Sequence, residues 1–160
     1  MSAGEAVERA TDRAADRAAD EAAGNRALLE RFHRAVDSGD PAVVAGAIDR
    51  FVAPDLVFHA PVPMGGTGVE ALKRVWEALL HAFPDIRVVV EETVAEGDTV
   101  VSRNTVTGTH LGEYRGVPAT GRSVRYDEIF VFRFAGGRIV ELRGVVDVLG
   151  QLRQLGLLPA

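Results

Sequence analysis

Residues 128–156 read EIFVFRFAGGRIVELRGVVDVLGQLRQLG, and no other stretch constrains the fold as tightly. Two runs rich in β-branched and aromatic residues flank Gly136-Gly137, the pattern of a β-hairpin. The second run ends at Asp147 and passes directly into a short amphipathic helix, LGQLRQLG. Strand alternation puts Tyr126, Glu128, Phe130, Phe132 and Phe134 on one face of the first run. Three phenylalanines on one face must meet a core or an apolar cavity, and Glu128 and Tyr126 share that face. A carboxylate held among aromatic rings should titrate high unless a cation pairs with it, which suits acid–base chemistry near neutrality. The bland alternative is a Glu128 at the rim, or one paired with an arginine.

Upstream, the chain reads as helices followed by strands. Residues 5–23, EAVERATDRAADRAADEAA, are nearly all Ala, Arg, Asp and Glu. Alanine favours helix, but no large apolar stripe is present to dock it, so residues 1–24 are read as a solvated extension. The alternative is a helix packed on a partner subunit. The domain is expected over 25–160, with Asn25 capping a helix whose stripe is Leu28, Leu29, Phe32 and Val36. Asp40-Pro41 reads as an N-cap followed by proline at the first helical position. That second helix is expected to stop at Pro54, before a short strand over 56–59 and a loop over 60–68. A third helix is expected over 69–83. Strands are then expected over 86–94, 99–110, 124–134 and 138–146. This order indicates an α+β fold in which a curved antiparallel sheet wraps over three helices as an open cone. Such a cone is a natural small-molecule pocket.

Composition narrows the function. The formal charge of −5 argues against a nucleic-acid surface. Without cysteine there is no disulfide, thiolate metal site or cysteine nucleophile. No apolar run is long enough to span a membrane, and no signal-peptide pattern is seen, so the expected location is cytoplasmic. The histidines are scattered without metal-ligand spacing, and no phosphate-binding glycine loop or nucleophile elbow occurs. Neither a metal nor a cofactor is expected.

The remaining candidates come from strand faces. On the strand over 99–110, Val101, Arg103, Thr105, Thr107 and Thr109 form a solvated or subunit-contacting stripe, and Asn104 lies on the opposite, cavity-facing side with His110. Asn104 is suited to position a carbonyl or hydroxyl. His110, at the end of its strand, and His59, expected to face inward, are candidate bases or hydrogen-bond donors. Either could equally be a structural histidine. Trp76 is expected as cavity wall with Phe130, Tyr126 as a substrate contact, and Arg143 as an anion contact if its strand turns inward. His33 and His81 read as ordinary helix residues.

Four stretches carry a family resemblance: FVAPDLVFHAP (51–61), the segment over 81–122 that ends GTHLGEYRGVPATGR, the hairpin EIFVFRFAGGRIVE, and the terminal LGQLRQLG. Together they resemble the SnoaL-like polyketide cyclases, or ester cyclases, of the nuclear-transport-factor-two-like superfamily. The resemblance implies a cofactor-free cavity for a hydrophobic small molecule, and a homo-oligomer formed through the outer face of the sheet. It also implies an aspartate on the last strand acting as acid and base in an intramolecular aldol closure. Counting back from the terminal motif puts Gly144 at that position. Glycine cannot move a proton, so the proton-transfer role is expected at Glu128, assisted by His110, His59 and Asp147. His110 matches the family's Gly-Thr-His. The expected function is cofactor-independent cyclisation or isomerisation of a polyketide-type intermediate. The alternatives are an epoxide-opening cyclase or hydrolase, which needs a carboxylate beside an arginine, and a binding protein with no chemistry. The acid–base reading requires Glu128, His110 and His59 to converge on one point of the cavity.

Overall fold

The computed structural model describes residues 2–62, 66 and 68–159. The elements run α1 (Ala3–Val36), α2 (Pro41–Phe51), β1 (Val52–His59), α3 (Val69–Ala82), β2 (Arg87–Glu96), β3 (Thr99–Thr109), β4 (Ser123–Ala135), β5 (Arg138–Val146) and α4 (Val148–Gln154). The sheet order is β1-β5-β4-β3-β2. Strands β2 to β5 pair antiparallel, and β1 adds at the edge parallel to β5, so the five-stranded sheet is mixed. This is the α+β architecture expected. The loop read over 60–68 lies in part outside the described residues.

The hairpin forms as its sequence dictates. Gly136 and Gly137 both have positive φ, 56° and 73°, the backbone a two-residue turn needs to match the strand twist. Extra residues then bend the sheet. The β2–β3 register shifts between Val90 and Glu92, and the β4–β5 register between Arg133 and Phe134. Each irregularity adds local twist and curls the sheet around the helices.

The helices cover the concave face. Leu29, Phe32 and Val36 of α1, Val44 and Ile48 of α2, and Leu72 and Leu80 of α3 are buried against Val100, Val106, Phe132, Phe134 and Leu142. Each fully buried aliphatic side chain of this kind contributes roughly 1.5–3 kcal/mol. At the start of α2, Asp40 accepts hydrogen bonds from the backbone N–H groups of Ala42 and Val43, the cap expected there.

Two boundary expectations are corrected. Asn25 does not start a helix: α1 begins at Ala3 behind a Ser2–Glu5 capping box and runs unbroken past Asn25. A single Gly24 costs only about 1 kcal/mol in so alanine-rich a helix. Asn25 is instead buried inside α1, where its Nδ2 donates to the Gly97 carbonyl in the β2–β3 turn at 3.2 Å. Pro54 does not stop α2, which ends at Phe51. It lies within β1, and an edge strand tolerates proline because half its backbone groups need no partner. Among the described residues, no helix is long and apolar enough to cross a membrane.

Candidate active site

A cavity lies between the helices and the concave face of the sheet. Phe58, Leu72, Trp76, Phe130, Phe132 and Leu142 are among its apolar walls. Among the described residues, its polar lining includes Glu128, Asn104, Tyr126, Tyr114, Gln151 and His33. No Lys or Arg lines it among the described residues.

Glu128 and Asn104 are direct cross-strand partners on β4 and β3. The Asn104 Nδ2 donates to Glu128 Oε1 at 3.0 Å. Burial among the rings pushes the Glu128 carboxyl up to about 7, against the smaller opposing effect of that hydrogen bond. Asn104 is itself buried, and its Oδ1 has no hydrogen-bond partner. Two residues along β4, Tyr126 is buried, and its hydroxyl is raised by desolvation and then by the nearby Glu128, so it stays protonated. Tyr114 reaches the cavity from the loop after β3 and contacts Gln151 Oε1 at 3.5 Å. Trp76 and Phe130 line the wall, where the sequence places them.

The other sequence candidates do not join this group. His59 faces out of the sheet. Phe58 takes the inner side of β1, so the alternation turns Val57 and His59 outward. There the His59 Nε2 lies 3.2 Å from Glu141 Oε1 and 3.1 Å from Arg143 Nη2. Arg143 is on the same outer face, exposed and 3.6 Å from Glu141, because Leu142 takes the inward place beside it on β5. Asp147 is exposed and caps α4, its Oδ1 accepting the Gly150 N–H at 2.8 Å.

His110 is fully buried but does not line the cavity. Its ring packs on Phe83, 5.4 Å between centroids, and meets Tyr114 edge-on at 6.4 Å. The Thr120 N–H donates to its Nδ1 at 3.3 Å, with the Thr120 hydroxyl at 3.0 Å, and Nε2 has no partner. Tyr114 stands at the cavity in its place. Glu128, His110 and His59 therefore do not converge.

One cavity residue was missed from sequence. The sequence reads His33 as an ordinary helix residue, yet it is one turn from both Leu29 and Val36 on the buried face of α1. Its ring meets Phe132 edge-on at 5.8 Å. Burial pushes its imidazole down to about 4, more than nearby Asp37 raises it. The signal available was its spacing within the apolar stripe.

Gly144 sits directly across from Phe130 on the inner face. A Cβ built on Gly144 would meet Cε1 of the Phe130 ring and fall 2.6 Å from Cζ and 2.7 Å from Cδ1. The ring thus occupies the space that a side chain at 144 would need. Among the described residues, no group of three or more His, Asp and Glu is placed to hold a metal ion.

Residues 26–155 match the family model described as SnoaL-like polyketide cyclase. The chain belongs to this family. The aklanonic acid methyl ester cyclase of Streptomyces peucetius is 31% identical over 131 residues, covering 81% of this chain and 88% of that protein. The nogalonic acid methyl ester cyclase of Streptomyces nogalater is 28% identical over 111 residues, covering 68% and 83%. Among solved structures, TsrD from Streptomyces laurentii superposes with a TM-score of 0.73 at 29% identity, covering 85% of this chain and 97% of that one. IdmH from Streptomyces antibioticus gives 0.70 at 32%, covering 82% and 98%. Membership accounts for the curled sheet over α1–α3.

Proposed function

We propose that the protein is a cofactor-independent cyclase for a neutral, polyketide-type intermediate, with Glu128 as its acid–base group. The observation that carries this reading is a carboxyl titrating near neutrality inside an aromatic cavity, held by Asn104 and faced by no cation. Such a group is ionised in part of the population and protonated in the rest, which suits both halves of a cyclisation. The ionised Glu128 takes a proton from a carbon next to a carbonyl, and the electron pair passes to that carbonyl oxygen. The resulting enolate carbon bonds to a second carbonyl carbon of the same molecule. The new alkoxide takes the proton back from Glu128. Nothing is gained or lost overall, so no cofactor is consumed. Asn104 fixes the carboxyl, and the protonated Tyr126 hydroxyl is available as a donor to the developing oxyanion.

A free carboxylate on the ligand would be repelled by Glu128 and find no cation in the cavity. A neutral or esterified ligand fits, in line with the methyl esters in the names of the relatives. Among the described residues, no arginine lines the cavity beside Glu128, which disfavours the epoxide-opening alternative. The covered Gly144 favours a second reading, ligand binding without chemistry. Comparing product formation by wild type and Glu128→Gln from a linear polyketide methyl ester decides between the two. Equal rates would remove Glu128 from the chemistry, and a wild-type rate no higher than that without protein would leave only binding.

Assembly belongs to the same proposal. The outer sheet face exposes Ile129 and Val145, cross-strand partners that are 45% and 72% exposed. Val131, next on this face of β4, pairs with Val101 on β3 and that in turn with the exposed Val94 on β2, which carries the apolar surface across the sheet. We expect it to bury against a second copy. Ile129→Asp with Val145→Asp should convert a sedimenting dimer or tetramer to monomer. A wild type that already sediments as a monomer at the same concentrations rejects the contact.

A further inference from the structure

Most polar groups of the cavity gather at one end of β4, where Tyr126, Tyr114 and Gln151 lie beyond Glu128 and Asn104, and His33 stands apart from them. His33 touches Phe132, four residues from Glu128 on the same strand face. At roughly 3.3 Å per strand residue, Glu128 and His33 lie on the order of 13 Å apart. Between them stand Phe130 and Phe132, their rings 6.1 Å apart. A flat ring system laid along this surface meets the carboxyl at one end and the imidazole at the other.

Among the described residues, no hydrogen bond uses either ring nitrogen of His33; its ring lies against Phe32 and Phe132, with Asp37 close enough to act on the imidazole. Burial keeps it neutral at pH 7, so one nitrogen donates and the other accepts. With Val88 it also borders a groove on the outside of the molecule, between α1 and β2. The bulge at Val90/Glu92 bends β2 at this groove. His33 thus forms the far wall of the cavity, on the boundary with solvent.

We propose that His33 is a specificity-determining residue that hydrogen-bonds a hydroxyl or carbonyl at the far end of an elongated, fused-ring ligand, remote from the atoms that react at Glu128. The proposal rests on the function above only for which end of the ligand reacts.

Trp76 is the sole tryptophan and lines the same cavity, so its emission reports occupancy. The probes are anthracene, anthracen-2-ol and the shorter 2-naphthol, titrated against wild type, His33→Phe, His33→Gln and Glu128→Gln. Wild type should bind anthracen-2-ol about 3- to 10-fold more tightly than anthracene, the value of one hydrogen bond. It should bind 2-naphthol more weakly than either. His33→Phe keeps a ring in place and should bind both three-ring probes equally. His33→Gln, which retains a donor and an acceptor, should keep part of the preference. Glu128→Gln should keep all of it, whether or not turnover is lost, so the two readings fail separately. A preference that survives His33→Phe, or that disappears in Glu128→Gln, overturns the proposal. So does a wild type that binds neither three-ring probe or does not distinguish them.

Discussion

Glu128→Gln should lower turnover by about 10²- to 10⁴-fold, the usual contribution of a positioned acid–base group, while making the protein more stable at pH 8. Both effects have one cause. In the unfolded chain the Glu128 carboxyl titrates at its ordinary 4.5, and in the folded protein burial raises it to about 7. Below 4.5 it is protonated in both states and has no effect on the pH dependence. Between 4.5 and 7 the unfolded chain gives up its proton while the folded protein holds it. Ionisation then favours unfolding, so stability falls as pH rises through this window and levels off above 7. The full loss is on the order of 3 kcal/mol, an upper figure because cavity water softens the penalty. Glutamine is the same size, can accept from Asn104 and does not titrate. Urea unfolding at pH 5, 6, 7 and 8 should show this decline in wild type and its absence in the variant. Wild-type turnover should rise with pH through about 7 as the base ionises. Identical pH–stability curves for the two proteins would mean that Glu128 is not desolvated, and the catalytic reading would fail with it.

Glu128 was legible in the sequence because β4 carries its own reference for which face is inside. Alternation gives only relative phase, and three phenylalanines on one face supply the absolute phase. The same reasoning placed Asn104 correctly, since its face of β3 continues through Val100 and Val106, both buried. β1 has no such reference. Val57 and Phe58 are adjacent and both apolar, so His59 could be assigned to either face, and the packing of Phe58 decided it. Asp147 could not be separated from a cavity acid by sequence, because an acidic residue before a helix serves equally as a cap.

His110 and His33 failed for different reasons. Tyr114, which stands at the cavity in front of His110, is set by a two-residue turn closed by paired Tyr114–Val117 hydrogen bonds, with Arg115 at a φ of 53°. A non-glycine residue in that region is uncommon, so the course of this loop is not a local sequence property. His33 has a readable spacing, but a stripe defined by Leu28, Leu29, Phe32 and Val36 passes over a polar residue that shares its face. A polar residue within a buried stripe deserves the opposite treatment, since it needs a reason to be there.

Gly144→Asp tests whether an acid can be returned to β5. Alone it should destabilise by more than about 3 kcal/mol, since overpacking costs about 1–3 and the new carboxyl is also desolvated. Phe130→Ala alone loses a wall ring and should cost less than the roughly 3–5 kcal/mol of a fully enclosed phenylalanine, because one side of that ring already faces the cavity. The combination should cost less than the sum by about 1–3 kcal/mol, since removing the ring vacates the space the aspartate needs. Denaturant unfolding of the four proteins measures that coupling. Strictly additive costs would show that Phe130 does not fill the site beside Gly144. The same pair placed in Glu128→Gln asks the catalytic question directly. Phe130 pairs with Gly144 and Glu128 with Val146, so the two carboxyl positions are diagonal neighbours on one face. If the cavity needs only one acid at this level, the triple variant should recover part of the lost turnover. If it recovers none while remaining folded, the ligand is held in register with Glu128 alone, and the proton-transfer site of this chain is not interchangeable with the position on β5.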